Sequence, residues 1–308
     1  MTASGAAGAR NAYLGVACAL IGSIGFSGKT VIVKLAYQYD VDVMTLLALR
    51  MLFSLPFFLV MAWWAGGGTT QMARRDWLAI IGLGFIGYYL GSYLDLAGLQ
   101  YVSAGLGRLI LYLYPTLVLL LSALFLQLPI RARHLMSLAL SYIGIALVLH
   151  HEVGIGEDLP LMALGAALVF ASAVSYAIYL IAGSRVVQKL GSMRFTAYAS
   201  ISATFFVIAH FMTTHGPERL VVAHQVYWLT LVMAVFSTVL PLWLMAEGLR
   251  RIGANQVALV ACIGPISTIA LAHLFLGEPV TAVQLAGAAL VLAGVMIISL
   301  KPQTAKAG

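Results

Sequence analysis

Apolar residues run through the chain in stretches of about 20, long enough to cross a bilayer as helices, and short polar breaks separate them. Ten stretches stand out, at 12–35, 43–64, 77–99, 103–126, 132–149, 160–184, 195–213, 226–248, 254–276 and 281–300. Leu, Ala and Gly dominate them, and the in–out alternation of a barrel strand is missing. A segment in hydrocarbon must satisfy its own backbone hydrogen bonds, so each stretch is expected to be a helix. The pattern predicts an all-α integral membrane protein with ten transmembrane helices.

Composition agrees. Of the 308 residues, 62% are hydrophobic and 9% charged, against roughly 25% charged in a soluble domain, and the mean hydropathy is +1.00. The formal net charge of +7 would suit nucleic acid if the cations clustered on one surface. They fall between spans instead. With the N terminus in the cytoplasm, the inner side collects Arg10, Arg74, Arg75, Arg131, Arg133, Arg185, Lys189, Arg194, Arg250, Arg251, Lys301 and Lys306, and the outer side holds Arg219, with Lys34 at a helix end. That is the positive-inside bias. It places both termini in the cytoplasm, fits a bacterial inner membrane, and needs no nucleic-acid partner. The first apolar run is longer than the core of a signal peptide and is expected to be an uncleaved span. Cys18 and Cys262 lie within apolar runs and are expected to be buried thiols.

Shifting the chain by 150 residues aligns 98–150 with 248–300 without a gap. Pro115 meets Pro265, Leu124-Phe125-Leu126 meets Leu274-Phe275-Leu276, Pro129 meets Pro279 and Gly144 meets Gly294. Two repeats follow, 1–150 and 151–308, with five spans each. Because five is odd, the second repeat enters the membrane from the opposite face. Inverted repeats are a scaffold on which secondary transporters expose one site alternately to either side.

The stretches "GSIGFSGKTVIVK", "TLLALR", "GLQYVSAG", "LYLYPTLVLLLSALFL", "GLRRIGANQVALV" and "AHLFLGEPVTAVQLAGAALVLAGV" resemble the drug/metabolite transporter superfamily, in its ten-helix EamA type. The resemblance implies two five-helix repeats and export of amino acids or similar small metabolites. One departure is Leu128, which stands where the second copy has Glu278 of "LGEP".

Four charges fall inside spans at similar depth. Asp95 lies before the turn near Tyr101 and Arg108 after it, each about 9–10 Å along its helix at 1.5 Å per residue. The two can face each other across that hairpin. Lys29 and Arg50 fall in the same outer layer. Intramembrane charge is costly, so such residues face partners or a wet cavity. The alternative is a locked Asp95–Arg108 pair, with Lys29 and Arg50 snorkelling to the interface. Helical spacing adds Tyr88, Ser92 and Tyr112 to the candidate substrate-binding set, and Pro115 and Pro265 become candidate pivots. Tyr176, Tyr179, Trp243 and Glu247 are further candidates, lining either a solute or helix contacts. Glu247 is open to two readings, a carboxylate exchanging protons as coupling ion or an i,i+4 pair with Arg251.

Other signals carry less. "GLGFIG" at 82–87 copies a dinucleotide-binding pattern, but no strand precedes it. His150-His151-Glu152 are expected in an outer loop, with no further ligand at metal-binding spacing. His210 and His273 suit hydrogen-bonded core roles. No cofactor or metal is implied, and monomer and homodimer both remain open. The expected function is secondary transport of a small solute carrying a carboxylate or another anionic group. A membrane-embedded enzyme acting on a lipid-linked substrate and a channel are the rivals, although HExxH, GxSxG and Asp-rich pair motifs are absent from the sequence.

Overall fold

The computed structural model describes residues 3–66, 72–126, 132–154, 158–261 and 263–299, and the described residues contain helices and no strands. The helices are α1 (Ala3–Tyr37), α2 (Val43–Gly66), α3 (Arg74–Leu83), α4 (Gly91–Gly98), α5 (Ala104–Leu111), α6 (Tyr114–Leu126) and α7 (Ala132–Gly154). They continue with α8 (Leu159–Leu190), α9 (Ser192–Thr214), α10 (His224–Ala234), α11 (Leu240–Ala261), α12 (Ile263–Leu276) and α13 (Ala282–Ser299). Among the described residues, eight stretches are long and apolar enough to cross a membrane, and Ile263–Leu276 and Ala282–Ile297 are shorter apolar helices. Together they make the ten-helix, two-repeat architecture expected. Trp63, Trp64 and Trp77 are exposed near one end of the bundle and Tyr39 and Trp228 near the other, as expected of aromatic belts at membrane interfaces.

Local chemistry sets the helix ends. Asp42 precedes α2, and its carboxylate accepts hydrogen bonds from Thr45 N (2.9 Å) and Thr45 Oγ1 (2.6 Å). Ser103 caps α5 by accepting from Leu106 N at 3.0 Å. Gly191, at φ +82°, is the one residue between α8 and α9. A π-helical segment, Gly84–Leu90, joins α3 to α4, and another, Val235–Val239, joins α10 to α11. The two lie at equivalent places 150 residues apart. Such widened turns store local strain and recur at functional sites.

Packing follows the same offset. A Cβ at Gly98 would sit 2.7 Å from Gly165 O, and one at Gly248 would sit 3.2 Å from Gly15 O. Gly144 is pressed against Gly287 O, and Gly294 against Ser137 O. Adding 150 to one member of this second pair of contacts and subtracting it from the other turns the first into the second. The pseudo-twofold axis therefore passes between α7 and α13. Small residues permit these approaches, which matter in lipid because apolar surface gains little there from association.

Three expectations change. The run His150-His151-Glu152 belongs to the last turns of α7 and is not a loop; Glu152 is buried. Cys18 is half-buried and not fully enclosed, and Cys262 lies outside the described residues. The turn placed between 248 and 254 lies within the bounds of α11, which run to Ala261. The reversal appears in the packing: Gly22 faces Met245 and Gly15 faces Ile252, whereas Ser23 bonds Ala261 and Ser27 bonds Gly264. Along α1 the contacts first descend and then climb, so the chain doubles back between Ile252 and Ala261. Leu128 lies outside the described residues.

Candidate functional site

Lys29, Arg50, Asp95 and Arg108 come from α1, α2, α4 and α5, and the fold gathers all four. Lys29 Nζ donates to Asp95 Oδ2 at 2.5 Å, and the charges of Arg50 and Arg108 also act on Lys29. Asp95 is 3% exposed, Arg50 3% and Arg108 7%, which rules out snorkelling for the two arginines. The expected pairing is corrected: Asp95 binds Lys29 from α1, while the Arg108 guanidinium lies over the Tyr112 ring, 5.1 Å from its centroid. Depth along two helices of a hairpin says nothing about which faces meet, and α1 inserts the nearer cation. Among the described residues, Nε of Arg50 and Nε of Arg108 are buried without a hydrogen-bond partner. Three cations against one carboxylate therefore leave excess positive charge and spare donors in a low-dielectric place.

A ladder of aromatic rings leads away from Arg108. Tyr112 meets Tyr114 (centroids 5.9 Å), Tyr114 meets Tyr176 (5.1 Å), and Tyr176 stacks on Tyr179 (5.7 Å). Tyr179 closes on Tyr88 edge-on, with the two hydroxyls 3.1 Å apart. The structure thus brings together Tyr88, Tyr112, Tyr176 and Tyr179. Ser92 is half-buried on α4, one turn before Asp95. Trp243 and Glu247 do not join. Trp243 is 46% exposed on α11, and Glu247 Oε1 accepts from Arg251 Nε (2.7 Å) and Nη2 (2.6 Å) in an i,i+4 pair.

Pro115 follows a helix break. Helix α5 stops at Leu111 and α6 begins at Tyr114, so Pro115 lies in the first turn of α6; Pro265 is its counterpart in the second repeat, in α12. A proline removes one backbone donor and its ring crowds the carbonyl four residues earlier, which places the α5–α6 interruption just upstream of Pro115 and leaves Ala261 O without its usual donor. Two sequence-silent residues serve the place around Pro265. Ser23 Oγ donates to Ala261 O at 3.1 Å and Ser27 Oγ to Gly264 O at 2.9 Å. Their spacing of four, on one face of span one, was the available signal.

At the end of the bundle that carries Gln100, an open cavity of 690 Å³ is lined by Lys34, Tyr37, Asp40, Asp42, Gln100 and Glu278, among others. Tyr37 OH donates to Leu96 O at 2.7 Å, so this side chain separates the cavity from the Asp95 layer. Glu278 of "LGEP" accepts from Ala104 N at 3.0 Å, and Glu152 accepts from Ser103 Oγ at 2.6 Å. A carboxylate of the second repeat thereby caps a helix of the first, a role its sequence position did not reveal. Asp42, outside the spans, meets His215 at 3.4 Å. Burial pushes its carboxyl up, but hydrogen bonds from Thr45 outweigh that and hold it below the usual range. His210 Nδ1 hydrogen-bonds Tyr89 OH at 2.8 Å, and no cluster of three His, Cys, Asp or Glu suited to a metal occurs among the described residues.

Known proteins with similar sequences are transporters by name. The profile of the EamA-like transporter family matches twice, at 13–150 and 163–300. The uncharacterized transporter YcbK of Bacillus subtilis is 30% identical over 287 residues, covering 90% of each chain. YyaM, also an uncharacterized transporter of Bacillus subtilis, is 27% identical, covering 73% of this chain and 74% of its own. A solved crystal structure superposes with a TM-score of 0.65 at 16% identity, over 92% of this chain and 96% of that one, which speaks for the fold alone.

Proposed function

Since this chain belongs to the EamA-like transporter family, we propose that it exports a small metabolite bearing a carboxylate or similar anionic group across the bacterial inner membrane, by alternating access. The observation that carries the anionic preference is the buried layer of Lys29, Arg50 and Arg108 around a single Asp95, with guanidinium nitrogens left over. An anionic solute would take those donors and offset the excess charge. In this reading Lys29, Arg50, Asp95 and Arg108 hold the anionic end. Ser92, Tyr88, Tyr176 and Tyr179 line the body of the solute, and Pro115 and Pro265 mark where the helices flex. The outward direction and both cytoplasmic termini rest on the family resemblance and the positions of the basic residues. The Arg251 bond gives Glu247 an interfacial role, and the proton remains the proposed coupling ion.

Purified protein in liposomes preloaded with unlabelled L-glutamate, succinate, benzoate or choline tests the proposal by counterflow of the labelled compound. Counterflow of at least one carboxylate, faster than choline, is expected, with a loss of about tenfold or more when Arg108→Gln removes a charge-assisted bond worth about 1.5–3 kcal/mol. An imposed pH gradient should drive net accumulation. Preferential movement of choline that survives Arg108→Gln and Arg50→Gln would refute the anionic reading.

A further inference from the structure

Tyr112 touches both the charged layer and the proline-bearing helix turn of the opposite repeat. Pro265 has no N–H to give the carbonyl four residues back, and that carbonyl belongs to Ala261. Two hydroxyls from elsewhere in the molecule take its place as donors, Ser23 Oγ from α1 and Tyr112 OH from the break between α5 and α6. Gly264 makes room, because the Tyr112 hydroxyl fills the space where a Cβ would stand. The other side of the same tyrosine carries the Arg108 guanidinium, 5.1 Å from the ring centroid. The residue is 4% exposed.

We infer that Tyr112 is a positioning residue that couples solute capture at Arg108 to movement of the helix turn that Pro265 weakens, through its hydroxyl on the Ala261 carbonyl. The inference rests on the transport reading above. A carboxylate arriving at Arg108 competes with the ring for the guanidinium, since a charge-assisted hydrogen bond outweighs a cation–π contact. As the guanidinium leaves, the ring is released to shift, and the hydroxyl transmits that shift to a backbone already freed by Pro265. Coupling of this kind needs two sites biasing one element with discrete arrangements; Arg108 and Ala261 are those sites and the helix turn at Pro265 is that element.

Tyr112→Phe keeps the ring under Arg108 and deletes the hydroxyl. With L-glutamate, succinate and benzoate as probes, the variant is expected to bind the transported probe within about threefold of the parent while its counterflow rate falls about tenfold, the scale of one lost hydrogen bond. A purely structural role would move affinity and rate together. Pro265→Ala restores an N–H for the Ala261 carbonyl, so in that background the further change Tyr112→Phe should cost less than about threefold. This second comparison also serves if the single variant folds poorly. A readout without solute separates this inference from the transport reading. With Cys18 and Cys262 replaced by Ala, spin labels at Phe125→Cys and Phe275→Cys, exposed positions 150 residues apart, report how span four lies against span nine. Tyr112→Phe should broaden or shift their distance distribution even in buffer alone. An unchanged distribution, or a counterflow rate equal to the parent's, overturns the inference. Failure of the parent to bind any of the three probes would instead sink the transport reading, and the spin-label result would still decide whether Tyr112 clasps the two helices.

Discussion

Asp95 is the one carboxylate in a layer with three cations, and the consequences of removing it follow from that count. Its bond to Lys29 is 2.5 Å and its side chain 5% exposed, so Asp95→Ala strands a buried ammonium beside Arg50 and Arg108. Losing one member of a buried pair typically costs about 3–5 kcal/mol, whereas replacing both by apolar residues is often close to neutral. The double variant Lys29→Met with Asp95→Leu is therefore expected to unfold at a higher denaturant concentration than Asp95→Ala alone, as followed by SDS titration of the purified protein. All four charges of the layer were legible in the sequence, because a charge within an apolar run is conspicuous and residue count gives its depth. Their pairing was not legible. Helix rotation about its axis and the choice of neighbour are set by packing, and these brought Lys29 of α1, not Arg108, to Asp95. Tyr112 was picked out for its spacing from Arg108, while the reach of its hydroxyl to Ala261, 149 residues away, had no local sign.

Elements meet through glycines here, and span four breaks just upstream of Pro115. Gly144 on α7 and Gly287 on α13 approach so closely that a Cβ on Gly144 would lie 2.6 Å from Gly287 O. Gly144→Leu should lower the unfolding midpoint by an amount corresponding to about 1–3 kcal/mol, the usual scale of overpacking, while Gly82→Ala, with nothing within 4 Å, should leave it nearly unchanged. At the start of α2, Asp42 provides a pH-dependent cap. Its folded pKa lies below the ordinary value, so its stabilisation is fully present above the unfolded pKa of about 3.9 and is lost as pH falls through the folded value. The stability difference between the parent and Asp42→Asn should thus be widest near pH 7 and shrink toward pH 3. The spans themselves could be read from hydropathy to within a few residues. The polar, charge-bearing ends could not. His150 to Glu152 looked like a loop because they are polar, yet Glu152 remains helical and turns inward to Ser103. Hydropathy placed the reversal after span eight between 248 and 254, and the packing of Gly15 on Ile252 and of Ser23 on Ala261 puts it after Ile252.

Across the whole molecule the backbone repeats and the chemistry does not. By the 150-residue offset Lys29 corresponds to Tyr179, Arg50 to Ser200, Asp95 to Met245 and Arg108 to Ala258. The charged layer has no ionic counterpart in the inverted repeat, and Tyr179 of the aromatic ladder stands where Lys29 would have its counterpart. An exchange of conformations between the repeats would leave the ions on helices of one repeat and hand access to them from one face to the other. The repeat offset was visible in the ungapped match of 98–150 with 248–300, but this division of labour emerges only when the contacts are laid over it. The most direct measurement uses Ser92→Cys, half-buried one turn from Asp95, with Cys18 and Cys262 replaced by Ala, in oriented liposomes exposed to a membrane-impermeant thiol reagent on one face at a time. Alternating access predicts labelling from each face, slowed by a transported carboxylate; labelling from one face alone, whatever the solute, would contradict the account.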